Sequence, residues 1–128
     1  MVAIQLERHL TMTEARIALG RPSVILTTTA EKSGLPNLDD AKAFLIPCDH
    51  GLVFARGIWH GLQAFPIGAD SVDFAFLSER EAENELAYGQ SAANDRSEII
   101  DLANCCFSRL VVTDPRGLLC AAVDTPRL

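Results

Sequence analysis

Short apolar runs broken by turn residues roughly every eight to twelve positions constrain this chain most, because that rhythm leaves little room for anything but antiparallel sheet. Val2, Ile4 and Leu6 alternate with Ala3, Gln5 and Glu7. Thr13 to Leu19 alternates again before Gly20-Arg21-Pro22. Ser23 to Thr29 is dense in β-branched residues and is the clearest strand. Glu31 to Asn37 is a loop, and Leu38 to Lys42 fits one helical turn beneath Ala43 to Ile46. Pro47 to Gly51 is a further turn, then Leu52 to Ala55 a short strand ended by Arg56-Gly57. Trp59 to Phe65 is apolar, and Ser71 to Leu77 reads as another strand. The expectation is an all-β barrel or sandwich with one or two short helices, not a βαβ fold.

The last third is less patterned. Glu79 to Asn94 is acidic without a period. From Ser97, the residues Ile99, Leu102, Ala103, Cys106 and Phe107 fall at helical spacing with Ser97 as cap, while Glu98 to Leu102 fits a closing strand equally well. Leu110 to Thr113 and Leu118 to Val123 flank Asp114-Pro115-Arg116-Gly117 as a hairpin. We therefore expect a barrel over residues 1–102 and a hairpin over 103–128 that packs on the barrel or on a partner subunit. A homodimer is expected, since edge strands of a small barrel need cover.

With 128 residues and 48% hydrophobic content the chain can bury one real core. A formal charge of −6 argues against nucleic acid or an anionic membrane as partner. No stretch has the form of a signal peptide or reaches the ~18 apolar residues of a membrane helix. Cys48, Cys105, Cys106 and Cys120 lack C-x-x-C spacing and read as small buried hydrophobes of a cytoplasmic protein.

Chemistry concentrates on two histidines. If Glu7-Arg8-His9 is a strand, Glu7 and His9 share one face and Arg8 takes the other. A returning strand brings Glu14 to the same wall, and His60 of Gly57-Ile58-Trp59-His60 completes a mixed N/O set suited to a divalent cation. Both glutamates are costly inside a barrel unless paired or metal-bound, and both are unremarkable if they face water. Arg16 shares the parity of Glu14, and it and Arg56 are candidates to hold a substrate carboxylate or to form surface ion pairs. Trp59 suits packing more than chemistry, Asp73 suits a pocket or a solvated edge equally, and His50 reads as exposed.

The pattern His9-x4-Glu14-x5-Gly20, followed by Gly57-x2-His60, resembles the two motifs of the cupins, the double-stranded β-helix barrels, with Glu7 in the place of a first histidine. Leu6-Glu7-Arg8-His9, Asn37-Leu38-Asp39, Ala43-Phe44 and Arg56-Gly57-Ile58-Trp59-His60 together are similar to ureidoglycolate lyase, a cupin enzyme, over roughly residues 4 to 102. Leu10, Glu14, Arg16, Val53 and Gly61-Leu62 depart from that family's usual residues, and its N-terminal segment is missing ahead of Glu7. The resemblance implies cleavage of ureidoglycolate to glyoxylate and urea at a site inside the barrel. On that barrel, taking the residue reading and the resemblance together, we expect metal ligands Glu7, His9, Glu14 and His60, catalytic His60, Glu14 and Arg56, and substrate contacts from Arg16, Trp59 and Asp73. A divalent ion and no organic cofactor are expected. The alternatives are a non-catalytic small-acid or metal-binding module, or a metal-dependent isomerase or dioxygenase on the same barrel.

Overall fold

The structure is a computed structural model that describes residues 2–3, 5–78, 97–106, 109–113 and 120–124. Its strands are β1 (Val2–Ala3), β2 (Gln5–His9), β3 (Glu14–Leu19), β4 (Ser23–Thr28), β5 (Lys42–Ile46), β6 (Gly51–Phe54), β7 (Trp59–Gly61), β8 (Phe65–Pro66), β9 (Asp73–Leu77), β10 (Ser97–Asp101), β11 (Arg109–Thr113) and β12 (Cys120–Asp124). A 3-10 turn at Leu38–Asp40 and one short helix, α1 (Leu102–Cys106), are the helical elements among the described residues. The expected acidic stretch from Glu79 to Asn94 lies outside them.

Every strand pairing is antiparallel. The main sheet runs β10-β2-β7-β4-β5, with β8 beside β4. A second sheet, β6-β3-β9, closes the barrel against it, and a third, β1-β11-β12, joins the first strand to the C-terminal hairpin. The result is the expected all-β, cupin-like barrel.

Strand β4 shows why the chain closes this way. Its run Ser-Val-Ile-Leu is buried on both faces, as a central strand with apolar layers above and below must be. Ile25 points into the barrel with Ala18, Ile46 and Phe54. Val24 and Leu26 point outward into a second apolar layer with Leu6, Trp59, Ala3 and Leu102. Side chains one residue apart on β2 and β7 are sorted the same way, so Leu6 and Trp59 pack outside while Glu7 and His60 are left to the interior.

Two details differ from the sequence expectation. The stretch from Ser97 takes the closing-strand alternative over Ser97–Asp101 and turns helical only after it, so the cap is not Ser97 but Asp101, whose Oδ1 accepts from the Ala103 and Asn104 amides at 2.9 and 3.1 Å. Ser97 instead opens β10 opposite His9. Cys48, read as a buried hydrophobe, is only half-buried beside a turn in which Asp49 adopts a φ of 60°.

Candidate active site

Three strands deliver five polar side chains to one dry spot. On β2, Glu7 and His9 face inward; on β3, Glu14 and Arg16 do; on β7, His60 does. Register enforces the meeting, because Glu7 sits opposite His60 across the β2–β7 pair and His60 sits opposite Thr27 across β7–β4. The loop before β7 is pinned as well. Gly57 takes a φ of 78°, which suits glycine, and its amide donates to the His9 carbonyl at 2.8 Å.

All five side chains are buried; Arg16 is 3% exposed and His60 is 0%. Arg16 is the hub. Its Nε donates to Glu14 Oε1 at 2.5 Å and one terminal nitrogen donates to Glu7 Oε1 at 2.5 Å. That nitrogen also lies 3.4 Å from His60 Nδ1, while the other donates to the carbonyls of Gly61 and Leu62 at 3.0 and 3.4 Å. The guanidinium stacks over the Phe76 ring at 4.7 Å. Glu14 turns its second oxygen, Oε2, to His9 Nε2 at 2.9 Å, and His9 Nδ1 lies 2.7 Å from Ser97 Oγ. Phe54 stacks on His60 with centroids 4.2 Å apart.

The protonation pattern follows. Burial pushes the Glu7 carboxyl above its usual range, against the pull of Arg16. Burial acts to raise Glu14 too, but its bonds from His9 and Arg16 outweigh that and hold it low. The bond to Glu14 raises His9 despite burial. Burial, joined by the Arg16 charge, drops His60 to about 3, so its ring is neutral. The 3.7 Å approach of His60 Nδ1 to Glu7 is therefore no ion pair. A guanidinium can only donate, so the Arg16 contact makes Nδ1 the acceptor and puts the His60 proton on Nε2. That Nε2 is buried and has no hydrogen-bond partner among the described residues.

Glu7, His9, Glu14 and His60 offer ligand atoms within 4.8 Å of one another, a set of the kind that can hold a metal ion. Arg16 lies among the same atoms, however, and while it is there its bonds take Glu7 Oε1 and Glu14 Oε1, two of the oxygens a cation would use. With Arg16 in place a divalent ion does not fit the centre.

A cavity of about 240 Å³ is lined by Thr27, Phe44, Leu52, Val53, Phe54, Ala55 and Ile58, and Phe54, whose ring stacks on His60, links it to the polar group. Its size suits a small acid. A larger one, about 400 Å³, lies on the outer face between Arg8, Gly34, Trp59 and Glu98. Among its described lining residues the one cation, Arg8, is committed to Glu98 at 2.5 Å and to the Trp59 ring, whereas the smaller cavity shares Phe54 with the buried polar group and is the better candidate.

The other predicted residues separate. Arg16 is not free to hold a substrate carboxylate, because all of its donors face protein acceptors. Glu14 likewise has both oxygens engaged, which makes it a positioning group. Trp59 is turned to the outer layer and its indole donates to the Gly34 carbonyl at 3.1 Å. Asp73 is exposed and alternates with the inward Phe74, so the structure does not bring it to the site. Arg56 is exposed in the turn between Ala55 and Ile58, both of which line the smaller cavity, but Arg56 itself is not one of its lining residues. His50 is exposed, as expected.

A family model described as ureidoglycolate lyase matches residues 2–96. Comparison with curated proteins gives no match. No described helix is long and apolar enough to cross a membrane.

Proposed function

Because this chain belongs to the ureidoglycolate lyase family, we propose that it cleaves ureidoglycolate, or a similar small 2-hydroxy acid derivative, to glyoxylate and urea inside the barrel. One observation carries the proposal: Glu7, His9 and His60, from the two segments that bear the resemblance, meet in a single buried polar group linked through Phe54 to a cavity.

The chemistry asked of the site is removal of the hydroxyl proton, scission of the C–N bond, and return of a proton to the departing nitrogen. Glu7 is suited to all of the proton traffic. Burial makes its carboxylate a stronger base than one in water, and Arg16 keeps a share of it ionised. It takes the hydroxyl proton as the carbonyl forms. The C–N electron pair leaves with urea's nitrogen, which receives that proton back, so Glu7 ends as it began. The orphan Nε2–H of His60 donates to a substrate oxygen and steadies charge gathering there. Arg56, exposed next to Ala55 of the cavity wall, holds the carboxylate. Glu14 and His9 hold Arg16 and each other in place.

The test is glyoxylate release from ureidoglycolate by the native chain and by His60→Ala. Turnover that falls by on the order of 100-fold with the fold retained supports the assignment. Undiminished turnover removes His60 from it. Stabilisation by glyoxylate without any product marks a binding module instead.

The chain is further proposed to form a homodimer, since among the described residues β12 ends the third sheet.

A further inference from the structure

We propose that Arg16 is the resident cation of this centre and occupies the place a divalent metal ion would take, so that the native chain balances its two buried carboxylates without a metal. The inference does not depend on which substrate is cleaved.

The geometry is built for a guanidinium. Arg16 has five N–H donors, and its three nitrogens meet five acceptors: Glu14 Oε1, Glu7 Oε1, His60 Nδ1 and the carbonyls of Gly61 and Leu62. Two of these are main-chain carbonyls on the strand end that carries His60, and the planar fork reaches both carboxylates at once, as an ammonium does not. Phe76 covers one face of the group. A metal ion drawing on the same four side chains would have to share both carboxylates with the guanidinium that already holds Glu7 Oε1 and Glu14 Oε1. It would also meet His60 with a proton on Nε2 rather than a lone pair.

Charge adds to the conflict. A divalent ion about 4 Å from a retained guanidinium is penalised by on the order of thirty-fold even at the dielectric of water, and by more in a buried site. Arg16 and a metal therefore compete for the same two carboxylates. Removing the arginine should expose a ligand set whose atoms already lie within 4.8 Å of one another.

Metal content and calorimetric titration of the purified full chain with Zn²⁺, Ni²⁺ and Mn²⁺ test this directly. The native chain is expected to take up no ion that depends on His9 or Glu14, and Arg16→Lys is expected to behave likewise because it keeps a charge. Arg16→Met is expected to gain one site, lost again in Arg16→Met/Glu14→Gln. A native chain that binds one ion per chain and loses it in Glu14→Gln or His9→Ala overturns the proposal. A folded Arg16→Met that binds no ion also overturns it. If Arg16→Met does not fold, the native and Arg16→Lys titrations decide. Because the readout is bound metal and not turnover, failure here is distinct from failure of the lyase assignment.

Discussion

Replacing Arg16 by methionine removes the charge at the hub while keeping most of the stem's bulk. The loss can be estimated from what Arg16 leaves behind. Two buried carboxylates, Glu7 and Glu14, each lose a 2.5 Å charged hydrogen bond, and the Gly61 and Leu62 carbonyls lose their donor. Deleting one partner of a buried ion pair costs about 3–5 kcal/mol, and two stranded carboxylates put this variant at the upper end. Against a total stability of roughly 5–15 kcal/mol, that lowers the melting temperature by about 10–20 °C.

The deficit should depend on pH with a definite sign. Glu7 already has a raised pKa in the folded chain, and without Arg16 it rises further. A carboxyl raised on folding holds its proton more tightly folded than unfolded, so its penalty is full above the folded pKa and fades as pH falls through it. Glu14 runs the other way in the native chain. Its depressed pKa stabilises the fold above the ordinary carboxyl value and that stability is lost as pH falls through the depressed one, a contribution that owes much to Arg16 and shrinks in the variant. Between about pH 8 and pH 5 it is Glu7 that narrows the gap between native and variant, while the Glu14 part stays constant there and falls away only below the ordinary carboxyl range. Urea unfolding followed by circular dichroism at both pH values, with chelator present, measures it. A gap under about 1 kcal/mol at the higher pH, or one that widens on acidification, would refute the hub role.

Other outcomes follow from the same structure. Trp59→Phe loses the indole bond to Gly34 and should cost about 1 kcal/mol of stability while leaving turnover intact, read by melting and glyoxylate assays. Asp73→Asn, on the outward side of β9, should change neither quantity beyond about 0.5 kcal/mol. Arg56→Ala should raise KM for a carboxylate substrate more than it lowers kcat, since the proposed role of this exposed side chain, next to Ala55 of the cavity wall, is to hold the carboxylate. Light scattering should return twice the 13.9 kDa chain mass; a monomer would end the homodimer proposal.

Much of this arrangement was legible before any coordinates. Alternation alone put Glu7 and His9 on one face of a strand, and the parity of Glu14 with Arg16 followed from the same period. That they lie inside rather than outside was settled by the register of β2 against β7, which places His60 opposite Glu7. What Arg16 does was not legible. Parity says that a side chain points inward but not that its fork spans two carboxylates on different strands, because that distance is set by how the two sheets pack. Asp73 was ambiguous for a related reason: Ser-Val-Asp-Phe-Ala-Phe-Leu alternates either way, and only the burial of Phe74 with Ala18 fixes which face is inner. The helical spacing after Ser97 came from residues that a strand and a following helix share between them.

The central claim is that the buried group around Arg16 and Glu7 is a lyase site. Measured most directly, it is the release of glyoxylate and urea from ureidoglycolate by the native chain beside Glu7→Gln, a variant that keeps the shape and removes the carboxylate. Equal amounts of both products are expected from the native chain, with a loss of at least about 100-fold in the variant. No product from the native chain, or a Glu7→Gln chain as active as the native one, would contradict it.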